Sequence, residues 1–186
     1  MASNAAPVPV EETTIATLHA AYVSGRSTAA SVCQAHLDRI AAYDQKGPAL
    51  GAIIINNPDA LSDAARLDAA LDLTGKLVGP LHGIPVLVKD NYDVAGLQTT
   101  GGSAALLGWV PKTDATVIAR IRAAGGIILA KTTMSEWARG GLDNINSVLP
   151  GFARNPYNTA YATGGSSGGT GAGLAASFGK RRRKPA

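Results

Sequence analysis

Residues 163–173 contain six glycines and two adjacent serines, Ser166 and Ser167, and this segment constrains the fold more than any other. Glycine adopts positive φ at little cost, so such a cluster indicates tight turns or another group close to the main chain. The apolar run at residues 174–178 follows directly. We therefore expect a fixed loop that enters a helix over residues 170–178, with a flexible Gly/Ser linker as the alternative.

Phosphate-binding motifs could also account for a glycine-rich segment, but the residues argue against them. A P-loop requires a lysine and a terminal Ser or Thr that the segment lacks. Residues 171–176 have the glycine spacing of a dinucleotide fingerprint, but no predicted strand precedes them and no acidic residue follows. The sequence therefore predicts no cofactor.

The charge of the chain is concentrated at its end. Residues 180–184 supply five of the 17 basic residues, and without them 12 basic residues face 13 acidic ones. The body of the chain therefore predicts neither a nucleic-acid partner nor a membrane partner. A single cysteine excludes an intrachain disulfide, and no signal peptide or membrane-length apolar run is present. These features predict a cytoplasmic protein with one main domain.

The first part of the chain predicts a helical hairpin. Thr13 or Thr14 caps the first helix, which ends at Gly25, and Thr28 caps a second helix that ends near residue 44. Cys33 and His36 share one face of the second helix, with no further ligand nearby. We expect both to pack in the core, and the sequence predicts no metal site.

Strands and helices then alternate, which indicates an α/β fold. Apolar strands are predicted at residues 52–55, 83–91 and 127–130, the first of them buried on both faces. Asn57 and Asp114 are the predicted caps of the intervening helices, the second of which should bury Val117, Ile118 and Ile121. Thr133 and Glu136 have the spacing of a capping box, so Glu136 is interpreted as a cap and not as an acid catalyst.

Lys89 is the candidate base. It ends an apolar strand, where burial lowers the pKa of an amine, and a neutral lysine can activate a serine without histidine. A solvent-directed Lys89 is the structural alternative. His19, His36 and His82 lie in no recognisable triad context.

Three segments, at residues 79–91, 131–138 and 164–169, together resemble the amidase signature family, in the family's order. They read GPLHGIPVLVKDN, KTTMSEWA and GGSSGG. The resemblance implies a mixed β-sheet flanked by helices and hydrolysis of small-molecule amides through a serine acyl-enzyme. By this resemblance, Lys89 corresponds to the catalytic base and Ser166 to the serine that follows a cis peptide and passes the proton. Ser167 corresponds to a position that orients groups, including substrate.

The resemblance ends at Gly179. The family's nucleophilic serine and oxyanion amides would fall just beyond Ala186, so we expect a truncated chain with little activity. We expect a disordered leader at residues 1–10, a partial amidase signature domain at 11–179 and a disordered basic tail at 180–186. Two alternatives remain, a non-catalytic protein that binds amides or a partner, and an amidotransferase subunit. The oligomeric state is not predicted.

Overall fold

The computed structural model describes residues 8–139, 146–148 and 152–180. It contains the predicted α/β fold with a mixed sheet. The helices are α1 (Ile15–Val23), α2 (Ala29–Tyr43), α3 (Ala60–Thr74), α4 (Thr116–Ala123) and α5 (Gly168–Ala175). The strands are β1 (Ile53–Asn56), β2 (Ile84–Lys89) and β3 (Gly126–Thr132), and short 3-10 helices span Ala104–Leu106 and Glu136–Ala138. In the sheet, β3 lies between β1, which is antiparallel to it, and β2, which is parallel.

The central strand β3 is buried along its whole length and divides the core in two. Successive side chains of a strand point to opposite faces. Ile127 and Leu129 therefore join a large cluster with residues of α1, α2, α3 and α5. Ile128 joins a smaller cluster with Ile118 of α4 and Val88 of β2. The sheet is thus covered by helices on both faces, as predicted.

The two predicted helices and their threonine caps are confirmed, but α2 packs mainly against α3 and not as a hairpin with α1. Thr14 accepts a hydrogen bond from Thr17 N at 3.1 Å, and Thr28 accepts one from Ser31 N at 3.0 Å. The carboxylate of Asp68, on α3, adds a second cap by accepting from the first two amides of α2 at 2.6 and 2.9 Å. Cys33 and His36 are both buried, so the interpretation of these residues as core residues is also confirmed.

Two predictions are wrong, the complete burial of β1 and the capping of α3 by Asn57. Ile54 and Ile55 are only partly buried, because β1 lies at an edge of the sheet and not in its centre. The helix that Asn57 was predicted to cap begins at Ala60. Asn57 instead accepts from Asp59 N at 3.1 Å and donates to Ile128 O at 2.8 Å, which ties the start of the helix to β3.

The predicted caps of two later helices are also wrong. Asp114 does not cap α4, because its carboxylate accepts from Ala95 N at 2.7 Å and pairs with Arg122 at 3.0 Å. Val117, predicted to face inward, is 44% exposed. The capping box is not formed either: Thr133 Oγ1 donates to Gly51 O at 2.7 Å, and Glu136 accepts from Ser147 Oγ at 2.9 Å.

The last predicted helix, at residues 170–178, corresponds to α5. It begins and ends earlier than expected, at Gly168 and Ala175. Residues 1–7 of the predicted leader and 181–186 of the predicted tail lie outside the described residues. Val10, at the end of the predicted leader, is buried in the large core cluster. Lys180, the first residue of the predicted tail, donates its amide to Pro85 O on β2 at 3.1 Å.

Helix α5 packs directly against the sheet at Gly169. A Cβ at this position would lie 2.5 Å from Thr133 O and 2.6 Å from Ala52 O. Gly169 N also donates to Thr133 O at 3.0 Å. The N-terminus of α5 therefore reaches the ends of β1 and β3 only because residue 169 has no side chain.

Replacing Gly169 by Ala should destabilise the fold by about 1–3 kcal/mol, because the added methyl meets rigid backbone. The matched control is Gly171→Ala in the same helix, where a Cβ meets nothing within 4 Å. The control should stabilise the fold by about 0.5–1 kcal/mol, since alanine favours helix. Urea unfolding of the two variants measures the difference, and equal effects would contradict this packing.

The buried His36 predicts a dependence of stability on pH. Its Nδ1 donates to Ser177 O at 2.9 Å, whereas Nε2 has no partner among the described residues. Burial lowers the pKa of His36 from 6.5 to about 4. Because the unfolded chain binds the proton more tightly, the free energy of unfolding should fall as the pH decreases from 6.5 to about 4, by about 3 kcal/mol in all.

The variant His36→Asn keeps a donor for Ser177 O and should lose this part of the pH dependence. The control His19→Asn replaces a partly exposed histidine and should keep most of it. Urea unfolding at pH 7 and pH 4.5 measures both. The expectation fails if the two variants lose the same amount of stability between these pH values.

Candidate active site

The ends of β2 and β3 place the candidate residues at one edge of the sheet. Lys89 is the last residue of β2 and pairs with Thr132, the last residue of β3. The two strands are parallel, so their carboxyl ends lie side by side. The loop that carries Ser166 and Ser167 approaches the same edge, because α5 begins there.

Lys89 and Ser166 are in direct contact. Lys89 Nζ donates to Ser166 Oγ at 2.6 Å, and burial lowers the pKa of Lys89 from its ordinary value of 10.5. The peptide bond between Gly165 and Ser166 is cis. An amine with a lowered pKa can accept a proton from a hydroxyl at this distance. The structure therefore brings together the two residues that the sequence singled out.

The backbone of Ser166 is also fixed, because its carbonyl accepts from Ser135 N at 3.0 Å. Ser167 is exposed and stands at the N-cap position of α5. It lines a cleft of about 340 Å³ together with Lys89, Asn91 and apolar residues of β2 and α4. The sequence-predicted Ser167 thus faces the same cleft as Lys89.

Two threonines at this edge had no role in the sequence analysis. Thr132 is fully buried, and its Oγ1 lies 2.7 Å from Thr170 Oγ1 and donates to Val88 O at 3.3 Å. Thr170 lines the cleft beside Lys89. The position of Thr132 at the polar end of an apolar strand was the available sequence signal. This pair ties α5 to β3, the strand next to the one that carries Lys89.

A buried ion pair lies next to Lys89 and was also missed. Lys131 Nζ is 2.9 Å from Asp90 Oδ1, and both side chains are fully buried. Lys131 also donates to Thr99 Oγ1 at 2.6 Å, and Asp90 Oδ2 accepts from Thr100 N at 3.0 Å. Burial lowers the pKa of Lys131, and the charge of Asp90 opposes this change.

The histidines take no part in this site. His19 Nε2 donates to His82 O at 3.0 Å, and His82 Nδ1 accepts from Val78 N at 3.1 Å, in the turn before β2. Within the described ranges, no group of three His, Cys, Asp or Glu side chains is placed to hold a metal ion. None of the helices in that part of the chain has the length and hydrophobicity needed to cross a bilayer.

Comparisons with known proteins agree with this arrangement. The Amidase family pattern matches residues 31–180. A glutamyl-tRNA(Gln) amidotransferase subunit from Salinispora arenicola is 43% identical over 152 residues, which cover 82% of this chain and 30% of that protein. The corresponding subunit from Acidothermus cellulolyticus is 43% identical over 158 residues, covering 84% and 30%.

Among solved structures, the native peptide amidase from Stenotrophomonas maltophilia is 42% identical and superposes with a TM-score of 0.86. The match covers 93% of this chain and 36% of that enzyme. The chain thus spans about a third of the length of the relatives it matches. Since the family pattern covers most of the sequence and the fold agrees, the chain belongs to the amidase signature family.

Proposed function

We propose that this chain supplies the base and the proton-passing serine of a carboxamide hydrolase. The observation that carries the proposal is the contact of 2.6 Å between Lys89 Nζ and Ser166 Oγ. The lowered pKa of Lys89 supports it, because the neutral amine is the form that accepts a proton. Membership of the amidase family supports the reaction class.

The proposed steps follow from the order of the groups. An attacking serine passes its proton to Ser166, and Ser166 passes its own proton to Lys89. The serine oxygen bonds to the amide carbon, the C–N bond breaks, and the leaving nitrogen receives the proton from Lys89 through Ser166. A water molecule then passes a proton through Ser166 to Lys89 and its oxygen bonds to the acyl carbon. The ester C–O bond breaks, and the attacking serine regains a proton from Lys89 through Ser166, which releases the acid.

By the resemblance to the amidase family, we place the attacking serine in the part of the relatives that lies beyond their match with this chain, which spans about a third of their length. Ser166 is occupied as the relay, and Ser167 is proposed to orient groups in the cleft that it shares with Lys89. The chain by itself is therefore expected to hydrolyse amides slowly. Substantial Lys89-dependent hydrolysis by the purified chain would contradict this part of the proposal.

A chimera tests the proposed roles. Residues 1–179 are joined to the part of the peptide amidase that follows the matched region, and the release of ammonia from an amidated dipeptide is measured. Lys89→Met and Ser166→Ala should each lower kcat/KM by about 10³-fold, the size of a lost general base. Ser167→Ala should lower it by about tenfold, as for one lost hydrogen bond.

The matched control is Lys76→Met, which removes an exposed lysine at the end of α3 and should leave the rate unchanged. Hydrolysis that survives Lys89→Met would contradict the role of the base. Binding of the amide without turnover, lost in Lys89→Met, would instead indicate a non-catalytic amide-binding protein.

An amidotransferase subunit is the second candidate, because the curated relatives named above carry that description. As a test substrate for this candidate we choose glutamine, a free amino acid with a side-chain carboxamide. The same chimera distinguishes the two candidates: a higher kcat/KM for glutamine than for the amidated dipeptide favours the amidotransferase, and the reverse favours a peptide amidase.

A further inference from the structure

The chain contains two tryptophans, and both line one cleft of about 260 Å³. Trp109 is 56% exposed and Trp137 is 57% exposed. The buried Met134 also lines the cleft, with Asn91 and Asp93. We name this the tryptophan cleft. A cleft lined by aromatic side chains with a few polar groups is typical of binding sites.

The main chain at both tryptophans is fixed by backbone hydrogen bonds. Trp137 has a φ of 53° and the next residue, Ala138, a φ of 55°. Side chains disfavour this left-handed region, and such strain concentrates at functional sites. Trp137 N donates to Gly101 O at 2.9 Å, which fixes the strained turn. Trp109 is fixed through its amide, which donates to Leu106 O at 2.9 Å, and its carbonyl, which accepts from Thr99 N at 3.0 Å.

The charge of the side chains that line the cleft indicates the charge of its ligand. Asp93 is the only ionisable side chain among the described residues that line it. Its carbonyl accepts from Ala115 N at 2.9 Å, so its position is fixed, and its side chain is exposed. The face of an indole attracts cations, and tryptophan does so more strongly than other aromatic residues. Two indoles with one carboxylate therefore favour an ammonium or guanidinium group.

The tryptophan cleft is next to the Lys89–Ser166 pair. Asn91, two residues after Lys89, lines both this cleft and the one that contains Lys89. Ser135, two residues before Trp137, donates its amide to Ser166 O at 3.0 Å. One molecule can thus extend from the reacting pair into the tryptophan cleft.

We propose that the tryptophan cleft binds the positively charged group of a carboxamide substrate. The assignment to a substrate rests on the proposed function, whereas the preference for a cation rests on Trp109, Trp137 and Asp93 alone. The ligand class is a small amide with a primary ammonium or guanidinium group on its side chain.

Intrinsic fluorescence tests the proposal directly, because both tryptophans of the chain line the cleft. The probes are Nα-acetyl-argininamide and its neutral isostere Nα-acetyl-citrullinamide, titrated at 0.15 M salt to limit non-specific attraction. The cationic probe should change the emission in a saturable way and bind about tenfold more tightly than the neutral one. Equal affinities, or no saturable change with the cationic probe, would overturn the proposal.

Asp93→Asn should lower the preference for the cationic probe from about tenfold to about threefold, because it removes the charge and leaves the two indoles in place. The control Asp72→Asn removes an exposed carboxylate on α3 and should preserve the tenfold preference. An equal loss in both variants would mean general electrostatic attraction and overturn the site. The preference for the cationic probe is measured by binding alone, whereas the catalytic role is measured by turnover of the chimera, so a failure of the proposed function is distinguishable from a failure of this cleft.

Discussion

The fully buried pair of Lys131 and Asp90 is the interaction on which the arrangement of this edge depends. Two charges removed from water are tolerated only when they pair closely and when their other hydrogen-bonding positions are filled. Thr99 and Thr100 fill these positions, because Thr99 accepts from Lys131 and Thr100 donates to Asp90. These bonds place the loop at residues 99–101 against the ion pair. The backbone of Gly101 then donates to Asp90 O and accepts from Trp137 N. The same network therefore fixes Lys89, which precedes Asp90, and the strained turn that carries Trp137.

The second constraint is the close approach of α5 to the sheet. Gly169 allows the helix to begin against the backbone that follows β3, and Gly173 lies against the side chain of Leu87 on β2. The close packing of α5 positions the preceding loop so that Ser166 lies within hydrogen-bonding distance of Lys89. The glycines of the segment thus contribute by lacking side chains, which lets the helix pack closely on the sheet. The hydrogen bond between the hydroxyls of Thr132 and Thr170 also connects the helix to the sheet.

The sequence was most informative where local chemistry decides the structure. Thr14 and Thr28 cap their helices as predicted because the amides they accept from lie only three residues further along the chain. Asp114 and Thr133 show the opposite case, because other partners, Arg122 and Gly51 O, take the side chains that local spacing assigned to caps. The residues at the candidate site could be found from their motifs. The Lys131–Asp90 pair and the tryptophan cleft could not, because each depends on contacts between segments distant along the chain.

The pKa of Lys89 tests the central claim most directly, because a base for Ser166 must lose its proton more readily than an ordinary lysine. The measurement is an NMR titration of lysine side-chain carbons, with the Lys89 signal assigned by its absence in Lys89→Met. The account predicts a pKa below the ordinary value of 10.5, as burial of the amine requires. A Lys89 that titrates at or above 10.5 would contradict it.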